Sequence, residues 1–221
     1  MTEKIAIIGG TGKEGKGLAY RWALAGYQVI IGSRSIEKAQ TACEDVKQYL
    51  KGKNTVLSLE NNDAAREGEI IVLTVPFSAH REMLFSLKEL VQGKIFIDVT
   101  VPLVPPKVTK VQMPPDGSAG LEALKILGEG VQVVSAFQNI SYERLLEDGD
   151  VSCDVLVCGT SKEARTKVIT LVSDAGLTGY DAGPLENSVV TEGLTSILIG
   201  INKQFSIQHA GIRITGVPRP E

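Results

Sequence analysis

Apolar residues recur along this chain in two periods, and the alternation between them outlines a fold. Residues 4–8 form a short apolar run, followed by a glycine-rich turn and then by Leu18, Ala19, Trp22 and Ala23 at helical spacing, a helix closed by Gly26. Residues 28–31 read as a second strand. Ser35 is placed to cap a helix whose Ile36, Ala39, Cys43, Val46 and Leu50 step by threes and fours. A strand at 55–59, a short helix around 63–67 and the apolar run 70–75, stopped by Pro76, continue the alternation. Met83, Leu84, Leu87 and Leu90 outline the next helix, and 94–99 the next strand.

Residues 101–120 carry Pro102, Pro105, Pro106, Pro114 and Pro115 and read as a long loop. A helix at 121–127 and a strand at 132–137 follow, then the polar stretch "EDGD" at 147–150. Beyond it come a strand at 155–158, a helix at 162–175, a strand near 178–181 and a last helix from about 187 to 208. Buried strands alternating with amphipathic helices predict an α/β fold built on a doubly wound parallel sheet. The soft boundary divides a large domain, 1–150, from a small C-terminal α/β unit, 151–221. The last helix carries Val190, Leu194, Ile197, Leu198, Ile201 and Phe205. Such a stripe suits an internal core, a dimer interface or the wall of a cleft.

Composition narrows the function classes. With 43% hydrophobic and 22% charged residues, the 221-residue chain should form a compact core. A net charge of −3 and the lack of a basic run argue against nucleic-acid binding. No segment is long and apolar enough to span a membrane, and the run at 5–8 is too short for a secretory signal, so a cytoplasmic protein is expected. Cys43, Cys153 and Cys158, with only His80 and His209, give neither a disulfide framework nor a metal site.

The chemistry concentrates in "IGGTGKEGKG" at 8–17. Gly10, Gly12 and Gly15 make G-x-G-x-x-G between the first strand and the first helix, the Rossmann-type arrangement that lays a pyrophosphate on a helix N-terminus. NAD-preferring sites place an acidic residue at the end of the second strand; here that end reads Gly32, Ser33, Arg34, with Lys38 one helical turn on. A guanidinium, a hydroxyl and an ammonium suit a 2′-phosphate, so NADP(H) is the expected dinucleotide. No His with an acidic partner, nucleophile elbow or Ser-x-x-x-Lys pair is visible, and His80 reads as an ordinary helix residue. Hydride transfer between two ring cofactors needs positioning more than a catalytic acid or base, so no catalytic side chain is expected.

Six stretches, "IGGTGKEGKGLA", "IGSRSIEKA", "VLTVPF", "VVSAFQNI", "VCGTSKEA" and "DAGPLENSVVTEGLT", together make the chain resemble the NADPH-dependent reductases of the deazaflavin coenzyme F420. The resemblance implies reversible hydride transfer between NADP(H) and coenzyme F420, their rings stacked in an interdomain cleft. It assigns Thr11, Gly12, Lys13 and Glu14 to the pyrophosphate turn and Ser33, Arg34 and Lys38 to the 2′-phosphate. Val75 and Pro76 would lie along the nicotinamide. Ala136, Gln138, Asn139 and the helix after "DAGPL" would wall the deazaflavin. Pro102, Pro105 and Pro106, following the fifth strand, either brace that side of the cleft or form a rigid surface turn. Archaeal members tend to show a histidine where this chain has Gln138, which can bond a ring carbonyl but does not titrate near neutrality. A flavin or ferric reductase is the alternative enzyme, since the STEAP reductases share the glycine turn and "GSR". A non-catalytic NADP-binding sensor is the alternative outside enzymes. A homodimer through the final helix is expected.

Overall fold

A computed structural model describes residues 3–50, 56–146 and 151–218. Its first half alternates as anticipated: β1 (Lys4–Ile8), α1 (Lys13–Leu24), β2 (Gln28–Ser33), α2 (Ile36–Leu50), β3 (Val56–Glu60), α3 (Asn61–Glu67), β4 (Ile70–Leu73), α4 (Phe77–Leu87) and β5 (Ile95–Asp98). Then come α5 (Ala119–Leu127), β6 (Gln132–Ser135), a four-residue α6 (Tyr142–Leu145), β7 (Asp154–Gly159), α7 (Lys162–Asp174), β8 (Thr178–Gly183) and α8 (Ser188–Phe205). Thr55, expected to open the third strand, and the boundary at 147–150 lie outside the described residues.

The eight strands form one sheet in the order β3-β2-β1-β4-β5-β6-β7-β8, parallel except where β7 meets β6. Strand side chains alternate between faces, and the core divides accordingly. Ile5, Ile7, Val29, Ile31 and Val72 meet Leu18, Trp22, Val46 and Leu171 on one face. Ala6, Ile8, Ile30, Ile71 and Leu73 meet Ala64, Leu84, Leu87 and Ile126 on the other. Central parallel strands covered on both faces have no wet side, which is why β1, β2 and β4 read as continuous apolar runs. Each fully buried aliphatic side chain contributes about 1.5–3 kcal/mol.

Several boundaries moved for local reasons. Ser118 accepts a hydrogen bond from the Leu121 amide and starts α5 at Ala119, two residues earlier than the apolar pattern suggests. The sixth strand stops at Ser135 because Phe137 takes a left-handed conformation (φ 74°), which drives its ring edge-on against Trp22. The final helix ends at Phe205, where Ser206 is also left-handed. α6 is too short for any periodicity to reveal it.

The C-terminal elements extend the same sheet through a short antiparallel contact, Val134 opposite Gly159 and Ser135 opposite Cys158. Helix α1 reinforces the junction: Trp22 Nε1 donates to the Leu171 carbonyl on α7, and Arg21 Nε to that of Leu145 on α6. The stripe on α8 behaves unlike an internal core. The helix buries Ser188, Thr191, Glu192, Ser196 and, from the stripe, Leu198, and leaves Val190, Ile197 and Phe205 exposed. Among the described residues no helix is long and apolar enough to cross a membrane.

Candidate active site

Strand order reverses beside β1, with β2 on one side and β4 on the other, so a crevice opens at the carboxyl ends of these strands. Its larger part, about 690 Å³, brings together Thr11, Ser33, Arg34, Lys38, Val75 and Pro76, six of the residues singled out from sequence. The glycines shape the floor. A Cβ on Gly15 would lie 2.6 Å from the Gly10 Cα, so the first turn of α1 packs directly on the loop, whereas a Cβ on Gly12 would meet nothing within 4 Å. Gly12 is exposed and presents bare backbone to open space beside the loop. It is also the N-cap of α1 and supplies no side-chain acceptor, so the first amides of the helix are available to an anion.

The rim at β2 is cationic, and among the described residues neither Arg34 nor Lys38 has a carboxylate partner. Glu60 and Glu82 also line the crevice, so its formal charge cancels. Selectivity for a 2′-phosphate would depend on the local pair at the end of β2. The sequence reading missed Asn61, whose Oδ1 accepts from the Gly9 amide at 3.1 Å and steadies the loop.

A second cleft of about 360 Å³ lies on the other side of the α1 N-terminus. Val99, Val101 and Leu103 form one wall, Phe137 to Tyr142 another, and Thr195, Leu198, Ile199 and Asn202 of α8 a third, with Gln208 and Ala210 from the tail. Glu14 points here, and its carboxyl is pushed up to about 8 by burial. Gln138 and Asn139 are in this cleft too. Ala136 lines neither cleft; it is fully buried in the core. Lys13 is exposed and donates to the Tyr142 hydroxyl at 3.0 Å, with its ammonium 4.6 Å from that ring's centre. None of the three prolines lines the cleft, and Pro105 and Pro106 sit in a surface turn. Pro102 is buried, Pro105 and Pro106 face solvent, and Val101 and Leu103 take that place.

In this structure the Gln138 amide is engaged inside the protein rather than free toward the cleft. Its amide nitrogen already donates to the Asp98 carbonyl (2.8 Å) and to Ser135 Oγ (2.9 Å), which uses both hydrogens. Beneath it lies a histidine–carboxylate cluster that sequence spacing did not show. His80 Nε2 is 2.7 Å from Asp98 Oδ2, and its Nδ1 is 3.3 Å from Glu122 Oε1. Burial pulls the imidazole down, but the Asp98 charge and the hydrogen bonds to both carboxylates outweigh it and raise the group to about 9. The imidazolium then donates from both nitrogens. Asp98 Oδ1 also accepts from the Thr100 amide, and Thr100 Oγ1 reaches the Val75 carbonyl at 3.4 Å. His80 thus supports the walls of both clefts from below without entering either. One signal for it existed: it shares the buried face of α4 with Leu84 and Leu87, where a polar residue needs partners.

Glu192 on α8 accepts from the Ala119 and Gly120 amides at the start of α5 and from Ser135 Oγ. Burial, then the nearby Asp98 charge, pushes its carboxyl up to about 8 against the pull of those donors. Among the described residues no cluster suits a metal ion.

Comparisons with known proteins fit this geometry. The family described as "NADP oxidoreductase coenzyme F420-dependent" matches residues 4–102. The F420-dependent NADP reductases of Methanocaldococcus jannaschii and Methanothermobacter marburgensis are each 42% identical over 223 residues, 97% of this chain and 99% of theirs. Metalloreductase STEAP3 of Rattus norvegicus is 27% identical over only 36% of its own length. A crystal structure from Arthrobacter sp. FB24, described as that of a putative F420-dependent NADP-reductase, superposes with a TM-score of 0.80 at 23% identity, covering 96% of this chain and 99% of its own. At that identity the likeness speaks for the fold alone. The near end-to-end match to the archaeal reductases settles the relationship: this chain belongs to the F420-dependent NADP oxidoreductase family.

Proposed function

We propose that this protein transfers hydride reversibly between NADP(H) and the deazaflavin coenzyme F420. The observation that carries the reading is a pair of clefts, one reached by Thr11 of the glycine turn and edged by a cationic rim, the other reached by Glu14 of the first turn of α1 and walled by apolar residues. In the larger, the amides behind Gly12 receive the pyrophosphate, Ser33, Arg34 and Lys38 hold the 2′-phosphate, and Val75 and Pro76 direct the nicotinamide toward the smaller cleft. There Val99, Val101, Leu103, Leu198 and Ile199 offer apolar surface for a planar ring and exclude water from it. When bound, the two cofactors supply the chemistry, a hydride leaving the reduced nicotinamide for the deazaflavin or returning. The protein's part is to align the rings, which fits a site without a nucleophile or an exposed acid–base pair.

The division at about residue 150 belongs to this reading, since the C-terminal unit contributes α8 and the tail to the second cleft. The exposed Val190, Ile197 and Phe205 support a homodimer through α8, and a cytoplasmic location suits three unpaired, buried thiols. A sensor would need no second cleft, and the match to STEAP3 leaves most of that protein unmatched. The test is stopped-flow mixing of NADPH-loaded protein with oxidised coenzyme F420, FMN or FAD. Bleaching of the deazaflavin is expected; bleaching of a flavin alone, or no turnover despite tight NADPH binding, refutes the reading.

A further inference from the structure

We propose that Glu14 is the hydrogen-bond donor of the smaller cleft, presenting the hydroxyl of its carboxylic acid to a carbonyl or carboxamide oxygen of the ring system held there. This rests on the reading that the cleft takes the stacked rings. Nicotinamide and deazaflavin both carry such acceptors, and an acceptor buried without a donor is costly.

The other polar side chains around the cleft are largely committed inside the protein. Both amide hydrogens of Gln138 are used, as are those of Asn139, which go to the Thr191 carbonyl and Thr195 Oγ1. Thr195 donates to the Gln138 carbonyl, Ser141 to that of Gln208, and Tyr142 to Glu143. The Gln208 amide, in the orientation that satisfies it, donates to Glu143 as well. That leaves the Asn202 amide and Glu14. Glu14 is half-buried and lines the cleft; its Oε1 atom is shut off from solvent and among the described residues has no hydrogen-bond partner, which leaves the other carboxyl oxygen to face the cleft. A carboxylate cannot donate; a carboxylic acid can.

The surroundings favour the acid. Facing Glu14 across the cleft are apolar residues from the end of β5 and amides, hydroxyls and apolar groups from α8 and the tail. Tyr142 is the other titratable residue in the lining, and Glu143 beside it is engaged by Tyr142 and Gln208. Neighbouring Lys13 is turned to Tyr142 and supplies no counter-charge to Glu14. Burial alone accounts for the raised value of about 8, and a pyrophosphate at the α1 N-terminus adds a like charge that favours the acid further.

The test combines spectroscopy with equilibrium binding. The infrared difference spectrum of the protein with and without NADP⁺ near neutral pH should contain a protonated-carboxyl C=O band that shifts on binding and is missing in Glu14→Gln. Fluorescence titration should show wild-type affinity for coenzyme F420 falling about tenfold per pH unit above about pH 8. Glu14→Gln, a donor that does not ionise, should retain affinity at high pH, and Glu14→Leu should bind weakly at every pH. A Glu14→Gln profile that follows the wild type overturns the proposal. So does a Glu14→Leu variant that binds normally while Asn202→Leu does not. If the deazaflavin fails to bind wild-type protein at any pH, the functional reading falls, and a carboxyl band that is absent or unmoved by NADP⁺ then overturns the Glu14 proposal separately.

Discussion

Replacing His80 with glutamine removes the cation between two buried carboxylates while keeping a hydrogen-bonding side chain. His80 and Asp98 are fully buried and 2.7 Å apart. The folded imidazole titrates at about 9 against an ordinary 6.5, a difference equivalent to about 3 kcal/mol. The value is raised on folding, so this stability is fully present below pH 6.5 and is lost as pH climbs through about 9. Breaking a buried pair by removing one partner typically costs about 3–5 kcal/mol, which agrees with that figure. Urea unfolding of both proteins should therefore show a gap of about 3 kcal/mol near pH 6 that closes toward pH 10. For a chain of this size that is a fall of about 6–12 °C in Tm at the lower pH. Glu14 and Glu192, both raised to about 8, lower the stability of both proteins as pH rises and largely cancel in the comparison. A gap independent of pH would mean that His80 is neutral in the fold and would refute the assignment.

Arg34→Asp should weaken NADPH binding by at least tenfold more than NADH binding in parallel titrations, about 1.4 kcal/mol; equal losses would remove Arg34 from the 2′-phosphate site. Gly12→Ala should leave Tm within about 2 °C of the wild type yet abolish tight NADP(H) binding, because its Cβ meets no protein atom and would occupy the pyrophosphate's approach. Gly15→Ala should lose both stability and binding, since its Cβ lies 2.6 Å from the Gly10 backbone; thermal melts with NADP⁺ titration separate the two. Trp22→Ala should cost about 3–5 kcal/mol by urea unfolding, because a fully buried indole and its bond to the Leu171 carbonyl are both lost. A cost under about 1 kcal/mol would show that α1 does not secure the C-terminal strands.

Local physics made much of this protein legible from its amino-acid order. A strand buried on both faces must be continuously apolar and a covering helix must repeat near 3.6, so β1 to β5 could be read to within about two residues, whereas α4, outlined from Met83, begins at Phe77. The glycine spacing and the missing acid at the end of β2 are equally local. They brought Thr11, Ser33, Arg34 and Lys38 to one crevice as expected.

What depended on distant contacts could not be read that way. Asp98 and Glu122 lie 18 and 42 residues from His80, and nothing in the spacing joins them until β5 and α5 pack against α4. The side-chain partners of Gln138, Lys13 and Glu14 were hidden for the same reason: residue type shows what a group can bond, whereas its neighbours in space decide which bonds are already made. Helix α8 shows the limit most plainly. Its apolar stripe is evident in the sequence, but the partners available at β6 and α5 are backbone amides and hydroxyls. The helix therefore turns its polar face inward, and only the assembled sheet could settle that orientation.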